Sequence, residues 1–189
     1  MFRTTLAISL LVAGVQVIVC ADDAPATPTE VELGALTLKI PKDWKQDSAR
    51  KPLRLATFEI PAAKGDKEKA ELAVYNFPGG GGSVEANIGR WVGQFESKGR
   101  KHRVSIGKAG DNQYYVVEVS GTYNKPVGPP IRRQTKPVKG SRMLAVILQL
   151  EQGVYFLKMT GEDETVKAQA KALRQSFGGS LKDEKEHKA

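Results

Sequence analysis

The chain has 189 residues, of which 29 are Lys or Arg, 21 are Asp or Glu, 2 are His and 1 is Cys, giving a formal net charge of +8. That length suits a single domain with a core of ordinary size. One cysteine excludes an internal disulfide framework and thiolate metal clusters. The basic excess favours anionic neighbours such as phospholipid head groups, acidic polysaccharide or acidic proteins.

The first residues read as an export signal. Arg3 supplies a positive start, Leu6 to Val19 is an apolar stretch interrupted only by Ser9, Gly14 and Gln16, and Val19-Cys20-Ala21 suits cleavage after Ala21. The stretch is shorter than the roughly 20 apolar residues that a membrane span needs. Cleavage after Ala21 yields a periplasmic or extracellular chain without any cysteine, held by packing alone. A lipid anchor on Cys20 is the alternative, although Val19 is larger than the residue that usually precedes a lipidated cysteine. Nucleic acid is not an expected partner of such an exported chain, and no transmembrane helix is expected in the mature protein.

Residues 22–30 are rich in Ala, Pro, Thr and Asp and read as a flexible lead into a domain spanning residues 31–180. Leu36, Leu38 and Ile40 alternate with polar residues, the period of a half-buried strand ended by Pro41. Leu53 to Ile60 predicts a second strand whose phase slips between Leu55 and Phe58, as at a bulge. A charged connection, Ala62 to Lys69, leads to a third strand, Glu71 to Phe77, apolar on both faces and therefore central. After Gly79 to Gly82, Ser83 is placed to cap a helix whose Val84, Ile88, Trp91, Val92 and Phe95 follow the 3.6-residue period. Strands at 102–107 and 113–120 are separated by a Gly110-Asp111-Asn112 turn. Residues 121–142 read as a long Pro/Gly/Lys/Arg-rich loop. Met143 to Leu150 and Val154 to Met159 form a hairpin, and a last helix carries Val166, Ala170, Leu173 and Phe177 before Gly178-Gly179. Leu181 to Ala189 reads as a frayed charged tail. Hairpin links without helical crossovers predict an α+β domain, a mainly antiparallel sheet of six to seven strands packed by two helices.

Ile40-Pro41-x-x-Trp44, the strands that follow, and Gly79–Gly82-Ser83-Val84-Glu85-Ala86-Asn87-Ile88 with Trp91 and Phe95 resemble a group of uncharacterised bacterial exported proteins. The order of elements, over about Leu33 to Phe177, is similar to the PsbP-like α/β/α sandwich. That resemblance implies a non-catalytic binding or assembly module. Photosynthetic members assist the oxygen-evolving complex, but none of the chain's residues matches a photosystem-binding motif, so that role does not carry over.

Several residues are candidates for function. Gly79, Gly80, Gly81, Gly82 and Ser83 precede a helix N-terminus, where free amides and the helix dipole attract anions. Against this, the Lys-Ser/Thr ending of a phosphate loop is missing and Glu85 adds a negative charge. Two basic clusters, Lys98, Arg100, Lys101 and Arg103, then Arg132, Arg133, Lys136, Lys139 and Arg142, form a candidate polyanion surface. Trp44 and Trp91, with Tyr75, Tyr114, Tyr115, Tyr123 and Tyr155, are aromatic residues that could line a ligand cleft. Trp91 fits the helix stripe and a core role, whereas Trp44, in a turn among charged residues, is the candidate ligand contact. His102 and His187 have no evident catalytic partners, and no metal or cofactor fingerprint is present. The expected function is that of a non-enzymatic envelope binding or accessory domain for an anionic or protein partner. A hydrolase built on carboxylates brought together by folding is the alternative.

Overall fold

Alternating apolar residues over most of the domain become strands, and the two periodic stretches become helices. The structure is a computed structural model describing residues 27–77, 79–128, 130–132 and 134–188; the signal-peptide reading, Cys20 and Arg133 fall outside these residues. In chain order the elements are β1 (Thr29–Leu33), β2 (Leu36–Ile40), β3 (Lys45–Gln46), β4 (Ala56–Ile60), β5 (Ala70–Asn76), α1 (Val84–Val92), β6 (Lys101–Ala109), β7 (Asn112–Pro126), β8 (Thr135–Leu150), β9 (Gly153–Glu162), α2 (Asp163–Ala168), α3 (Ala170–Ser176) and β10 (Lys185–Glu186). β1 and β2 form a separate hairpin. The other strands make one eight-stranded sheet in the order β10-β6-β7-β8-β9-β5-β4-β3. Every pairing is antiparallel.

The period of two along β8 shows how the sheet serves two cores. Leu144, Val146 and Leu148 face one side, where they meet the β1–β2 hairpin, Trp44, Val166, Leu173 and Phe177. Met143, Ala145 and Ile147 face the other, where Ile88, Trp91 and Phe95 pack over Val117, Val119 and Phe156. The fold is therefore a three-layer α+β sandwich, with α1 on one face and α2–α3 on the other. Because both faces of β8 are covered, its apolar run is nearly continuous.

Several elements differ from the sequence reading. The main sheet has eight strands and the chain forms a further two-stranded hairpin, against the six to seven expected. β1 begins at Thr29, within the stretch read as flexible, and pairs Thr29 with Ile40. The phase slip before β4 is a turn rather than a bulge: Leu53 has φ 65° and is 76% exposed, and the strand starts at Ala56. The single last helix is broken at Gln169, which separates α2 from α3.

The largest difference concerns residues 121–142. Most of them are strand, because β7 and β8 run on beyond their neighbours as a two-stranded arm. Pairing continues through Tyr123–Val138, Asn124–Pro137, Lys125–Lys136 and Pro126–Thr135. The register shifts between Gly121 and Tyr123. Gly121 has φ 145°, and a Cβ there would stand 3.3 Å from the Arg100 Cα, so the arm leaves the sheet at a residue where only glycine fits comfortably. At its base Tyr123 is 8% exposed and packs on Phe95. Beyond Asn124 the arm has no third strand and no buried residue, so it needs no apolar alternation, which explains its loop-like composition.

The tail is docked rather than frayed. A 3-10 turn at Leu181–Asp183 leads to β10, which pairs Lys185 with Ile106 and Glu186 with Ser105 on β6. The His187 amide donates to the Val104 carbonyl at 2.9 Å, and its ring meets Tyr115 edge-on. Glu184 and Arg174 form an ion pair whose side chains are 2% and 3% exposed.

Candidate functional site: an aromatic cleft beside helix α1

α1 is nine residues long and covers only part of its sheet face. Beside it β5 and β9 present Tyr75, Phe77, Phe156 and Lys158 toward the same side. The strand register puts Tyr75 opposite Phe156, and sets Lys158 between Ala73 and Ala145. These small neighbours leave room for the lysine to lie along the sheet. With Gly81, Arg90, Trp91 and Gln94, the side chains line a cleft of about 450 Å³. Its rings are in mutual contact: Tyr75 stacks on Phe77 with centroids 5.9 Å apart, and Trp91 meets Phe156 edge-on at 6.2 Å.

Lys158 is the chemically distinctive group. Its ammonium donates to Gln94 Oε1 at 2.6 Å and to the Tyr123 hydroxyl at 3.3 Å, both neutral acceptors. Burial, with the Arg54 charge adding to it, pushes its pKa down to about 8. Burial likewise pushes Tyr123 up to about 12, so the phenol stays neutral. Arg90, exposed on the last turn of α1, adds a second cation at the mouth and donates to Asn87 Oδ1. Among the described residues, no acidic side chain lines this cleft.

A smaller neighbouring cleft of about 200 Å³ does include Glu68, Glu71 and Glu162. Glu71 is tied to Lys51 and Arg54 at 3.0 and 2.7 Å. Burial would raise its pKa, but hydrogen bonds from these two cations outweigh that and hold it below the usual carboxylate value. Glu162 accepts the Lys67 and Glu68 amides. Among the described residues, no three His, Cys, Asp or Glu side chains gather as a metal site would require.

The residues singled out from sequence are distributed unevenly around this geometry. Ser83 caps α1, accepting the Ala86 amide at 3.1 Å. Gly79 to Gly82 all have positive φ, and Asn87 laces the run to the helix by donating to the Gly81 and Ser83 carbonyls. Gly81 forms part of the cleft wall. A Cβ there would come within 2.8 Å of Phe156, so the glycine lets the loop approach the aromatic floor. Trp44 is not at a ligand site: it is 4% exposed in the core, and its indole N–H donates to Gln169 at 3.2 Å.

The basic clusters divide into structural and exposed members. Arg100 donates to the Val92 and Phe95 carbonyls and closes the end of α1. Arg142 is no part of a free basic surface, because it lies between Glu118 at 2.8 Å and Asp163 at 3.1 Å. Arg103 pairs with the same Glu118 at 3.1 Å. Lys98, Lys101, Arg132, Lys136 and Lys139 are exposed. Lys101 and Arg142 both stand opposite Ser120, so the remaining lysines of the two clusters share one end of the sheet, at the base and along the arm.

Sequence reasoning offered Tyr75 and Tyr123 as aromatic cleft residues but missed Lys158 and Gln94, which meet them. Lys158, Gln94 and Tyr75 come from β9, the turn after α1 and β5, and only the pairing of β5 with β9 unites them. The one available signal was a lysine at an alternate position in the apolar run from Tyr155 to Met159.

No family model and no curated protein matches the chain. Two similar solved structures are a Pseudomonas aeruginosa protein of unknown function and the solution structure of cyanobacterial PsbP (CyanoP) from Synechocystis. The first is 13% identical with a TM-score of 0.43, covering 81% of this chain and 95% of that one. The second is 10% identical with a TM-score of 0.47, covering 89% and 97%. The likeness concerns the path of the chain, and no activity or partner is taken from it.

Proposed function

We propose that the protein is an exported, non-enzymatic binding or accessory domain of the cell envelope. Its ligand is a small molecule that joins an anionic group to an apolar or aromatic body, held in the cleft beside α1. The observation that carries this reading is Lys158: a largely buried ammonium beside an aromatic floor, held by Gln94 and Tyr123 rather than by a carboxylate. A ligand anion would complete its electrostatics, while Tyr75, Phe77 and Phe156 receive the apolar part. The acid-free lining favours binding over carboxylate hydrolysis, which needs two converging acids. Export is supported by Arg3, the apolar Leu6–Val19 stretch and the small residue Ala21.

The test uses 4-nitrobenzoate as the anionic probe and 4-nitrotoluene as its neutral counterpart. Trp44 and Trp91 are the chain's two tryptophans, so a Trp44→Phe background leaves Trp91 in the cleft as the reporter. Saturable quenching by the carboxylate, weakened about tenfold by Lys158→Met, is expected from loss of one partly desolvated charge contact. Equal quenching in Lys158→Met, or equal response to the neutral probe, overturns the reading.

A further inference from the structure

The arm made by the ends of β7 and β8 touches the cleft only at its base, through Tyr123, and its outer part has no role there. At that base β7 still bonds the segment after α1, where the Glu96 amide donates to the Thr122 carbonyl and the Asn124 amide to the Gln94 carbonyl. Beyond Asn124 the arm pairs with itself, and the Val127 amide closes its tip by donating to the Gln134 carbonyl at 2.9 Å. At that tip Ile131 is 90% exposed and Val127 39% exposed. Below them Lys125 and Lys136 stand opposite each other in the ladder, with Arg132 beside Ile131 and Lys139 farther down, all exposed. From Val119 to Leu150 the sequence contains no Asp or Glu. Lys125 borders the smaller cleft that Glu68, Glu71 and Glu162 line, whereas Lys136, Lys139 and Arg132 line neither cleft.

We propose that the arm is a membrane-docking finger whose apolar tip enters the head-group region of an anionic bilayer while its cations engage lipid phosphates. Apolar residues at the end and cations one step behind match the layering of an interface, where acyl chains lie below and anionic phosphates above. An acidic polysaccharide or an acidic protein surface would satisfy the lysines but leave Ile131 in water. Strand addition from another protein is disfavoured by Pro126 and Pro137, which remove backbone donors from the free ribbon. The tip residues Val127 and Ile131 lie outward of Tyr123 and Asn124, the last arm residues bonded to the cleft's Lys158 and Gln94.

The experiment places a reporter at the tip of the full chain. Ile131→Trp is mixed with vesicles of phosphatidylcholine containing phosphatidylglycerol, with vesicles of phosphatidylcholine alone, and with heparin as a polyanion that lacks an apolar phase. Trp44 and Trp91 are buried at 4% and 5% exposure, so a new change reports the tip and not the apolar Leu6–Val19 stretch. The expected result is a blue shift on anionic vesicles, quenched by brominated acyl chains and absent with heparin. Reversing Lys125 and Lys136 to Glu should weaken that response at least tenfold, and raising salt should weaken it further. The Ile131→Trp chain must retain the far-ultraviolet circular dichroism of the wild type. No blue shift on anionic vesicles, or a shift unaffected by the double reversal, overturns the proposal. Salt-sensitive heparin binding without tip insertion into vesicles overturns it in favour of a polyanion surface.

Discussion

Replacing Glu184 with Gln isolates the contact that holds the tail to the body of the domain. Glu184 meets Arg174 through two oxygens, with Nη2 to Oε2 at 3.0 Å, and also accepts Ser105 Oγ at 2.6 Å. Both charged side chains are nearly inaccessible, and Arg174 anchors its other end by donating to the Ala170 carbonyl at 2.9 Å. Glu184→Gln keeps the shape but leaves the guanidinium buried against a neutral amide. Breaking one side of a buried pair costs about 3–5 kcal/mol. For a domain of this size that corresponds to a fall in Tm on the order of 10 °C. Burial alone would raise the Glu184 pKa, but hydrogen bonds from Arg174 and Ser105 outweigh it and hold the carboxyl below its ordinary value. The pair therefore stabilises the fold above the unfolded carboxylate range, and that contribution is lost as pH falls through the depressed value. Urea melts at several pH values, read by circular dichroism, should show a wild-type loss in acid that Glu184→Gln lacks. Joint replacement by Arg174→Met and Glu184→Leu should cost less than Glu184→Gln, because no charge is left stranded. A Glu184→Gln loss below about 1 kcal/mol, or a pH profile like the wild type, would refute this assignment.

Two further outcomes follow from the same physics. Lys158 has its pKa lowered to about 8 by burial, so its charged form opposes folding below that pH, and stability should rise as pH climbs from 8 toward the unfolded lysine value. Lys158→Met should therefore stabilise the chain at pH 7 by about 1–3 kcal/mol and flatten chemical melts between pH 8 and 10. Asp66 accepts both the Thr165 amide and hydroxyl at 2.7 Å, serving as a cap for α2 from a loop 99 residues away. Asp66→Ala should cost about 1–2 kcal/mol in a urea melt and raise hydrogen exchange at the start of α2, whereas an unchanged exchange rate would exclude the capping role.

The elements that could be read in the sequence are those whose residues face a core on a regular period. Leu36, Leu38 and Ile40 announced β2, and Ile88, Trp91 and Ser83 announced α1 and its cap. The arm was hidden because, beyond its base at Tyr123, no residue of the ribbon is buried and no apolar alternation is needed; Lys136 and Lys139 look the same in a loop. The tail was hidden for a different reason. Its anchor is one carboxylate meeting one arginine ten residues earlier, and that pairing has no periodic signature. Trp44 misled because its neighbours in sequence are charged while its neighbours in space are Gln169 and the core. The cleft's tyrosines could be named but not assembled with Lys158, because β5 and β9 are separated by α1 and three strands, and Tyr75 and Lys158 become neighbours only when those strands pair.

The two ends of the main sheet are closed by strands of two residues each, β3 and β10. β10 is synthesised after every other strand, so until residues 185–186 emerge the nine-residue β6 keeps one ladder of amides and carbonyls unoccupied. A nascent chain thus passes through a stage at which the core residues are present but one sheet edge is still adhesive. The order of synthesis makes the tail the last piece of the sheet to cover that edge, over Val104 to Ile106.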